Sequence, residues 1–372
     1  MKKKVIVFFL VVVCLHAVSM SQTKNGAVDW WKSANTKLER ADYQGAIADY
    51  TEAIKLKPDD ASAYIGRGGA KGFLADYKGA IDDFTKVIGL KPDFATAYFY
   101  RGKAKSHLED YQGAIADYTE AIKLKPDNEG AYIGRGNAKL FLANYQGAIA
   151  DFTEAIKLKP DDEDAYFYRG KAKYFLADYQ GAIADFTKAI KLKPDDAWGY
   201  VGMGMVKDGL ADYKGAIADF TEAIKLKPDN EDAYRWRGDA KHALKDYQGA
   251  IADCTKAIKL KPDDASAYRY RGNAKLMLED YQGAIADYTE AIKLKQNAYF
   301  GRGKAKFLFA DNQGAIADLT KAIKLNPDDA DAYFIRGSSY VELRQKSKAL
   351  KDFMSAIELG YHVPQELLDL CK

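Results

Sequence analysis

The sequence predicts an all-α solenoid, a stack of helical hairpins that share one continuous hydrophobic core. Three observations carry this reading. The string Tyr-Gln-Gly-Ala-Ile-Ala-Asp followed by Tyr or Phe, or a close variant, recurs with its glycine at Gly45, Gly79, Gly113, Gly147, Gly181, Gly215, Gly249 and Gly283, always 34 residues apart. Within each unit, apolar residues recur at spacings of three and four, the mark of one helical face. In most units a Pro-Asp pair then stops the second run and begins the next turn. At 48% hydrophobic and 29% charged, the 372 residues have a globular balance that excludes wholesale disorder, a collagen-like chain and a polytopic membrane protein.

The second copy shows how each element arises. Ala63, Tyr64, Arg67, Gly68, Ala70, Lys71 and Leu74 fall on one face of a first helix. Asp76 offers an N-cap to a second helix whose inner stripe is Tyr77, Ala80, Ile81, Phe84, Val87 and Ile88, and Pro92 ends it. A two-helix hairpin cannot bury its own apolar face, so neighbouring copies must stack. Each fully buried large side chain contributes about 1.5–3 kcal/mol, which makes stacking favourable, and no single copy should fold alone. Gly79 and its equivalents stand where a capping box would put Glu, which predicts a frayed start to each second helix.

Counted from Ala27, ten copies end near Val363. The ninth is marked by Gly314, which follows Gly283 after 31 residues, and the tenth by Lys348. The boundary at Leu294 to Tyr299 lacks three residues and its Pro, and Asn312 replaces a packing Tyr. A stacking defect or hinge is expected there, dividing copies 1 to 8 (residues 22–295) from copies 9 and 10 (296–363). Residues 364–372 then read as a short helix whose Leu367, Leu368 and Leu370 suit it to cap the last exposed face.

These residues resemble the tetratricopeptide repeat, whose pattern is matched by Tyr98, Gly102, Ala114, Tyr118 and Pro126. The resemblance covers about residues 27–363 and implies an α-solenoid coiled into a superhelix, with first helices lining a concave face that binds partners. Two departures stand out. Where the family carries Leu before the glycine, eight copies here carry Arg (Arg67, Arg101, Arg135, Arg169, Arg237, Arg271, Arg302, Arg336), and Lys71 and its equivalents replace a Tyr. A charge on an inner stripe is costly unless paired. Asp83 and its counterparts in all ten copies therefore predict a structural Arg-Asp ladder between helices.

The first residues read as an address. Lys2, Lys3 and Lys4 precede an apolar run from Val5 to Leu15 and the small-residue stretch Ala17-Val18-Ser19, the order of a secretory signal peptide (residues 1–21) cleaved between Ser19 and Gln22. The run falls short of the ~20 residues that span a membrane. A lipoprotein reading through Cys14 is weaker because Val13 is bulky for that motif. With the three leading lysines set aside, acidic and basic residues balance, which gives no reason to expect nucleic acid as partner. Export, with the bacterial periplasm or cell envelope as destination, is the expectation, the compartment drawn from resemblance to exported repeat proteins.

No catalytic, metal or cofactor signal is present. Cys14, Cys254 and Cys371 form no CxxC, and Cys254 in a packing position reads as an inert thiol. The four histidines are far apart, and the Gly-Arg-Gly strings at Gly66, Gly134 and Gly301 lie inside helices, so they fail as phosphate loops. Most of the 26 tyrosines fall at three packing positions of the unit.

Diversity is concentrated at unit positions 2, 5, 9, 12 and 13, on the stripe opposite the inner one. Position 5 reads Ile65, Phe99, Phe167 and Phe300 among others, and Phe73, His107, Phe141 and Phe175 add a second row. Such a channel favours a peptide or protein with hydrophobic anchors, although the same aromatics would also serve to pack neighbouring copies. Arg235 and Arg269, with Asn273, are placed to grip a carboxylate. The alternative is an envelope-assembly or glycan-binding component whose rings, such as Phe141, Tyr174 and Phe175, stack on sugars. Residue 6 alternates Gly66, Tyr100, Gly134, Tyr168, Gly202, Trp236, which predicts a bulky ring seated over a neighbour's glycine.

Overall fold

The structure is a computed structural model that describes residues 25–371, all of its regular elements being helices. The signal-peptide segment expected at residues 1–21 lies outside the described residues. The chain divides into two compact units between Leu192 and Lys193. The first contains α1 (Asn25–Glu39), α2 (Tyr43–Leu56), α3 (Ala61–Phe73), α4 (Tyr77–Leu90), α5 (Ala95–His107), α6 (Tyr111–Leu124), α7 (Glu129–Phe141), α8 (Tyr145–Leu158), α9 (Glu163–Phe175) and α10 (Tyr179–Leu192). The second contains α11 (Ala197–Gly209), α12 (Tyr213–Leu226), α13 (Glu231–Ala243), α14 (Tyr247–Leu260), α15 (Ala265–Met277), α16 (Tyr281–Lys293), α17 (Tyr299–Leu308), α18 (Asn312–Leu325), α19 (Ala330–Glu342), α20 (Lys346–Glu358) and α21 (Gln365–Leu370). Each unit is five hairpins, copies 1–5 and 6–10, and the second unit ends in the extra helix α21.

Within a unit each second helix packs on its own first helix and on the first helix of the next copy, and neighbouring first helices also touch. The first helices therefore form one continuous face. The core is built from the expected stripe: Ala80, Phe84 and Val87 are buried on α4, with Tyr77, Ile81 and Ile88 packed at its edges.

The second helices do not fray at their starts. Asp76 accepts a hydrogen bond from the Gly79 backbone N–H at 3.0 Å, and Asp42, Asp110 and Asn144 do the same for Gly45, Gly113 and Gly147. A Cβ on Gly79 would collide with the Asp76 carboxylate, so glycine is what lets the cap close. The cap replaces the missing Glu, which corrects the expectation of fraying. The residue before each cap has a left-handed backbone without being glycine, as at Ala75 (φ 60°) and Ala143 (φ 57°).

The Arg-Asp ladder forms. Arg135 holds Asp151 with two nitrogens, Nη2 at 2.7 Å and Nε at 3.0 Å. Its remaining Nη1 donates to Thr119 of the preceding copy at 3.1 Å, so each rung also crosses between copies. Lys139 approaches the same carboxylate at 2.7 Å, and the guanidinium lies over the Tyr132 ring. This accounts for both departures from the family pattern, because Arg and Lys together neutralise one buried Asp. Copies 1 and 6, the first of each unit, carry Ser33 and Met203 in place of Arg. Burial raises a carboxyl pKa, and at Asp318 the hydrogen bonds from Arg302 and Lys306 outweigh it and hold the group below its usual range. At Asp219, where only Lys207 is in reach, burial wins and pushes the carboxyl up.

At the shortened boundary α17 has lost its first turn and begins at Tyr299, with Ala298 at the N-cap and no side-chain cap. Copies 8 and 9 remain in contact across it: Tyr288, Ala291, Ala298 and Ala305 share one buried cluster, and Arg302 still reaches Thr289 at 3.1 Å. At the C-terminus Leu367 and Leu368 pack on the cluster of Phe353 and Ala356. Leu370 is exposed instead, and Val363 and Cys371 supply the remaining cap contacts.

Candidate partner-binding face

The face formed by the first helices has two rows with different fates. At position 5 the side chains are spent largely on packing against the second helix of their own copy. Ile65 packs with Val87 and Ala97, Phe99 lies 5.9 Å from the Tyr118 ring, Phe167 lies 5.8 Å from Phe186, and Phe300 packs with Leu319 and Ile323. Large rings between two helices bury themselves when they can.

Position 13 behaves differently. Phe73 stacks on Tyr43 of the preceding copy with centroids 4.7 Å apart, His107 on Tyr77 at 4.5 Å, Phe141 on Tyr111 at 4.7 Å and Phe175 on Tyr145 at 5.2 Å. Each pair is nearly parallel, so one face of each outer ring is covered by tyrosine. The outer ring still reaches solvent, and Phe141 is 66% exposed. The four rings recur at one position in four successive copies of the first unit. Gly209, Ala243 and Met277 hold that place in the first copies of the second unit, so the aromatic row belongs to the first.

The carboxylate grip in the second unit does not assemble. Arg235 is occupied by Asp232 at 2.5 Å and Asp264 at 3.1 Å, and its guanidinium lies over the Trp236 ring. Asn273 accepts from the Tyr288 hydroxyl at 2.9 Å. The Arg269 guanidinium lies 4.4 Å over the Tyr270 ring. Two arginines and an amide at variable positions look free in a sequence, but Asp232 and Asp264 claim Arg235 and the Tyr288 hydroxyl claims Asn273.

The sequence reading missed an acidic group nearby. Asp208 and Asp239 approach one another on the first-helix face, and burial together with the Asp239 charge pushes the Asp208 carboxyl up to about 6. Asp239 is also raised by burial, against the opposing hydrogen bond from Tyr270. The signal was present, since Asp239 and Asp208 hold positions 9 and 12, where copies differ most. Cys254 is fully buried, and burial pushes its thiol up to about 12, which leaves it unreactive at neutral pH. Among the described residues no group of three His, Cys, Asp or Glu side chains could hold a metal ion, and no helix is long and apolar enough to cross a membrane.

Comparison with known proteins agrees with this architecture. No curated protein matches the chain. A solved tetratricopeptide repeat protein from Parabacteroides merdae is 17% identical, covers 77% of this chain and 100% of its own, and superposes with a TM-score of 0.51. Yeast Tom70 is 17% identical over 92% of this chain and 94% of its own, with a TM-score of 0.46. A MamA structure is 25% identical over 43% of this chain and 94% of its own, with a TM-score of 0.42. Family models described as tetratricopeptide repeat match residues 202–265, 255–299 and 300–360, residues 95–128, and residues 163–196, and one described as TPR repeat matches residues 34–71 and 144–175. Together they extend over most of the chain, which belongs to the tetratricopeptide repeat family.

Proposed function

We propose that the chain is a display scaffold that binds a peptide or protein segment along the first-helix face of its first unit, without chemistry of its own. The observation that carries this is the row Phe73, His107, Phe141 and Phe175, four rings each backed by a tyrosine and each still exposed to solvent. Backing a ring with a second ring fixes its orientation before binding, which lowers the entropic cost of ordering it on a partner. Exposed aromatic anchors of this kind are what interfaces draw most of their energy from. The order of Lys2–Lys4, the apolar run from Val5 and the small residues after Leu15 supports export of the chain, with the envelope as its place of work.

Affinity capture from a native envelope extract tests the reading, using the chain and a Phe141→Ala, Phe175→Ala double variant with matching circular dichroism. A partner held by the parent and released by the variant is expected. An unchanged partner set would move the site away from the rings, and release by added envelope glycans would make it a sugar site.

A further inference from the structure

A pocket of about 140 Å³ opens between copies 2 and 3. Its floor is α3, at Gly68, Gly69 and Gly72, and its walls are rings: Phe73, Tyr77 and Phe84 from copy 2, Tyr100 and His107 from copy 3. The pocket exists because of two residues. Positions 9 and 12 of the first helix carry Gly69 and Gly72 in this copy, where copy 4 carries Asn137 and Leu140 and copy 8 carries Asn273 and Leu276. A Cβ on Gly72 would meet nothing within 4 Å, so the missing side chain leaves open space. That volume is close to the ~150 Å³ of an apolar cavity that accepts benzene, which makes room for one phenyl ring and too little for an indole.

The rim adds a charge. Lys103 lines the pocket and is exposed, and no carboxylate is among the lining residues. Enough protein surrounds its ammonium that desolvation lowers its pKa, and the same effect together with the Lys103 charge lowers that of His107, which disfavours a second cation here. The site is thus a phenyl-sized hole beside a single cation. Phe73 and His107 at its mouth are also the first two members of the exposed ring row, so a chain leaving the pocket has further rings to follow.

We propose that this pocket seats a phenylalanine side chain of an extended acidic peptide, with Lys103 pairing the carboxylate of the adjacent residue. The assignment rests on the peptide-display reading above and gives that reading its first anchor.

Titration calorimetry of the full chain with the heptapeptide Gly-Ser-Gly-Phe-Asp-Gly-Ser tests it, since this probe is too short to depend on the whole row. Binding by the parent, loss of at least tenfold in Gly72→Leu and a severalfold, salt-dependent loss in Lys103→Gln are expected. Gly72→Leu installs the residue that copies 4 and 8 carry at this place, and its unchanged melting curve would show that the loss is local. A Lys123→Gln variant, altered at an exposed side chain on α6, should bind the heptapeptide within twofold of the parent, and the capture by the Phe141→Ala, Phe175→Ala variant described above reads the ring row separately from the pocket. Equal binding by Gly72→Leu, or no binding by the parent at millimolar peptide, would overturn the assignment. Binding of 3-phenylpropionate as tightly as the peptide would overturn its assignment to a peptide.

Discussion

Tyr118 on α6 and Gly134 on α7, in neighbouring copies, occupy one space: a Cβ on Gly134 would lie 2.5 Å from Cζ of Tyr118. The relation repeats at Tyr288 and Gly301, and it inverts where the second helix carries the smaller ring. Phe84 then faces Tyr100 and Phe152 faces Tyr168, both at 5.9 Å. Large partners small across each interface, which is the physical content of the alternation over pairs of copies. The ring that fills the glycine's space comes from the second helix of the preceding copy, and not from residue 6 of a neighbouring copy as the alternation by itself predicted.

Complementary pairs make a double-mutant cycle informative. Gly134→Ile alone should destabilise by roughly 3 kcal/mol or more through overpacking, and Tyr118→Leu alone by roughly 2–4 kcal/mol through a cavity. Combined, they rebuild the pair that Leu319 and Ile335 form in a native core cluster, and the double variant should lose at least 1 kcal/mol less than the sum. Urea midpoints at constant slope measure this, and strict additivity would mean the two sites do not share their volume.

The ladder predicts an asymmetry between its members. Asp151→Ala strands two cations against a shielded site and should cost about 3 kcal/mol, whereas Arg135→Met leaves Lys139 on Asp151 and should cost less. Met203→Arg should do the reverse in copy 6, stabilising the second unit and returning Asp219 to the ordinary carboxylate range. Carboxyl chemical shifts against pH, with melting curves, check both effects.

Asp208 gives stability a dependence on pH. Its carboxyl titrates near 6 in the folded chain against an ordinary value of 3.8, because of burial first and the Asp239 charge second. Below about pH 3 both states are protonated and the group contributes nothing. As pH rises towards 6 the unfolded chain ionises freely while the folded one resists, so stability is lost, and above about 6 the loss is complete. Asp208→Asn should therefore add about 1 kcal/mol at pH 7, after allowance for solvent screening, and nothing below about pH 3. Glu129, pushed up to about 7 by burial and by Asp162, should behave alike, with Glu129→Gln stabilising above pH 7.

The left-handed residues before each cap are a third lever. Ala143 at φ 57° bears a cost of about 1–2 kcal/mol that glycine would not, offset in part by glycine's greater freedom when unfolded. Ala143→Gly should raise stability by a few tenths to about 1 kcal/mol in urea denaturation.

The sequence made the hairpins, the register and the ladder legible, because Gly45 to Gly283, Arg67 and Asp83 recur at fixed spacing and helical periodicity leaves them few places to go. Three things were hidden. Asp76 capping Gly79 looks like an absent Glu until the carboxylate is seen in the space a Cβ would need. Arg235 and Asn273 look available until Asp264 and Tyr288 are seen beside them, since a one-dimensional reading does not place side chains of adjacent copies. The pocket at Gly69 and Gly72 shows in the sequence only as two small residues at variable positions, and a void is a property of what surrounds it.

The central claim is that the exposed ring row meets the partner, and site-specific photocrosslinking in the native host tests it most directly. A benzophenone amino acid at Phe141 or Phe175 should give the same discrete adduct from either position, while one at Lys123, exposed on the second helix α6, should give none. Adducts at Lys123 and not at Phe141 or Phe175 would contradict the account and place the partner on the other side of the array.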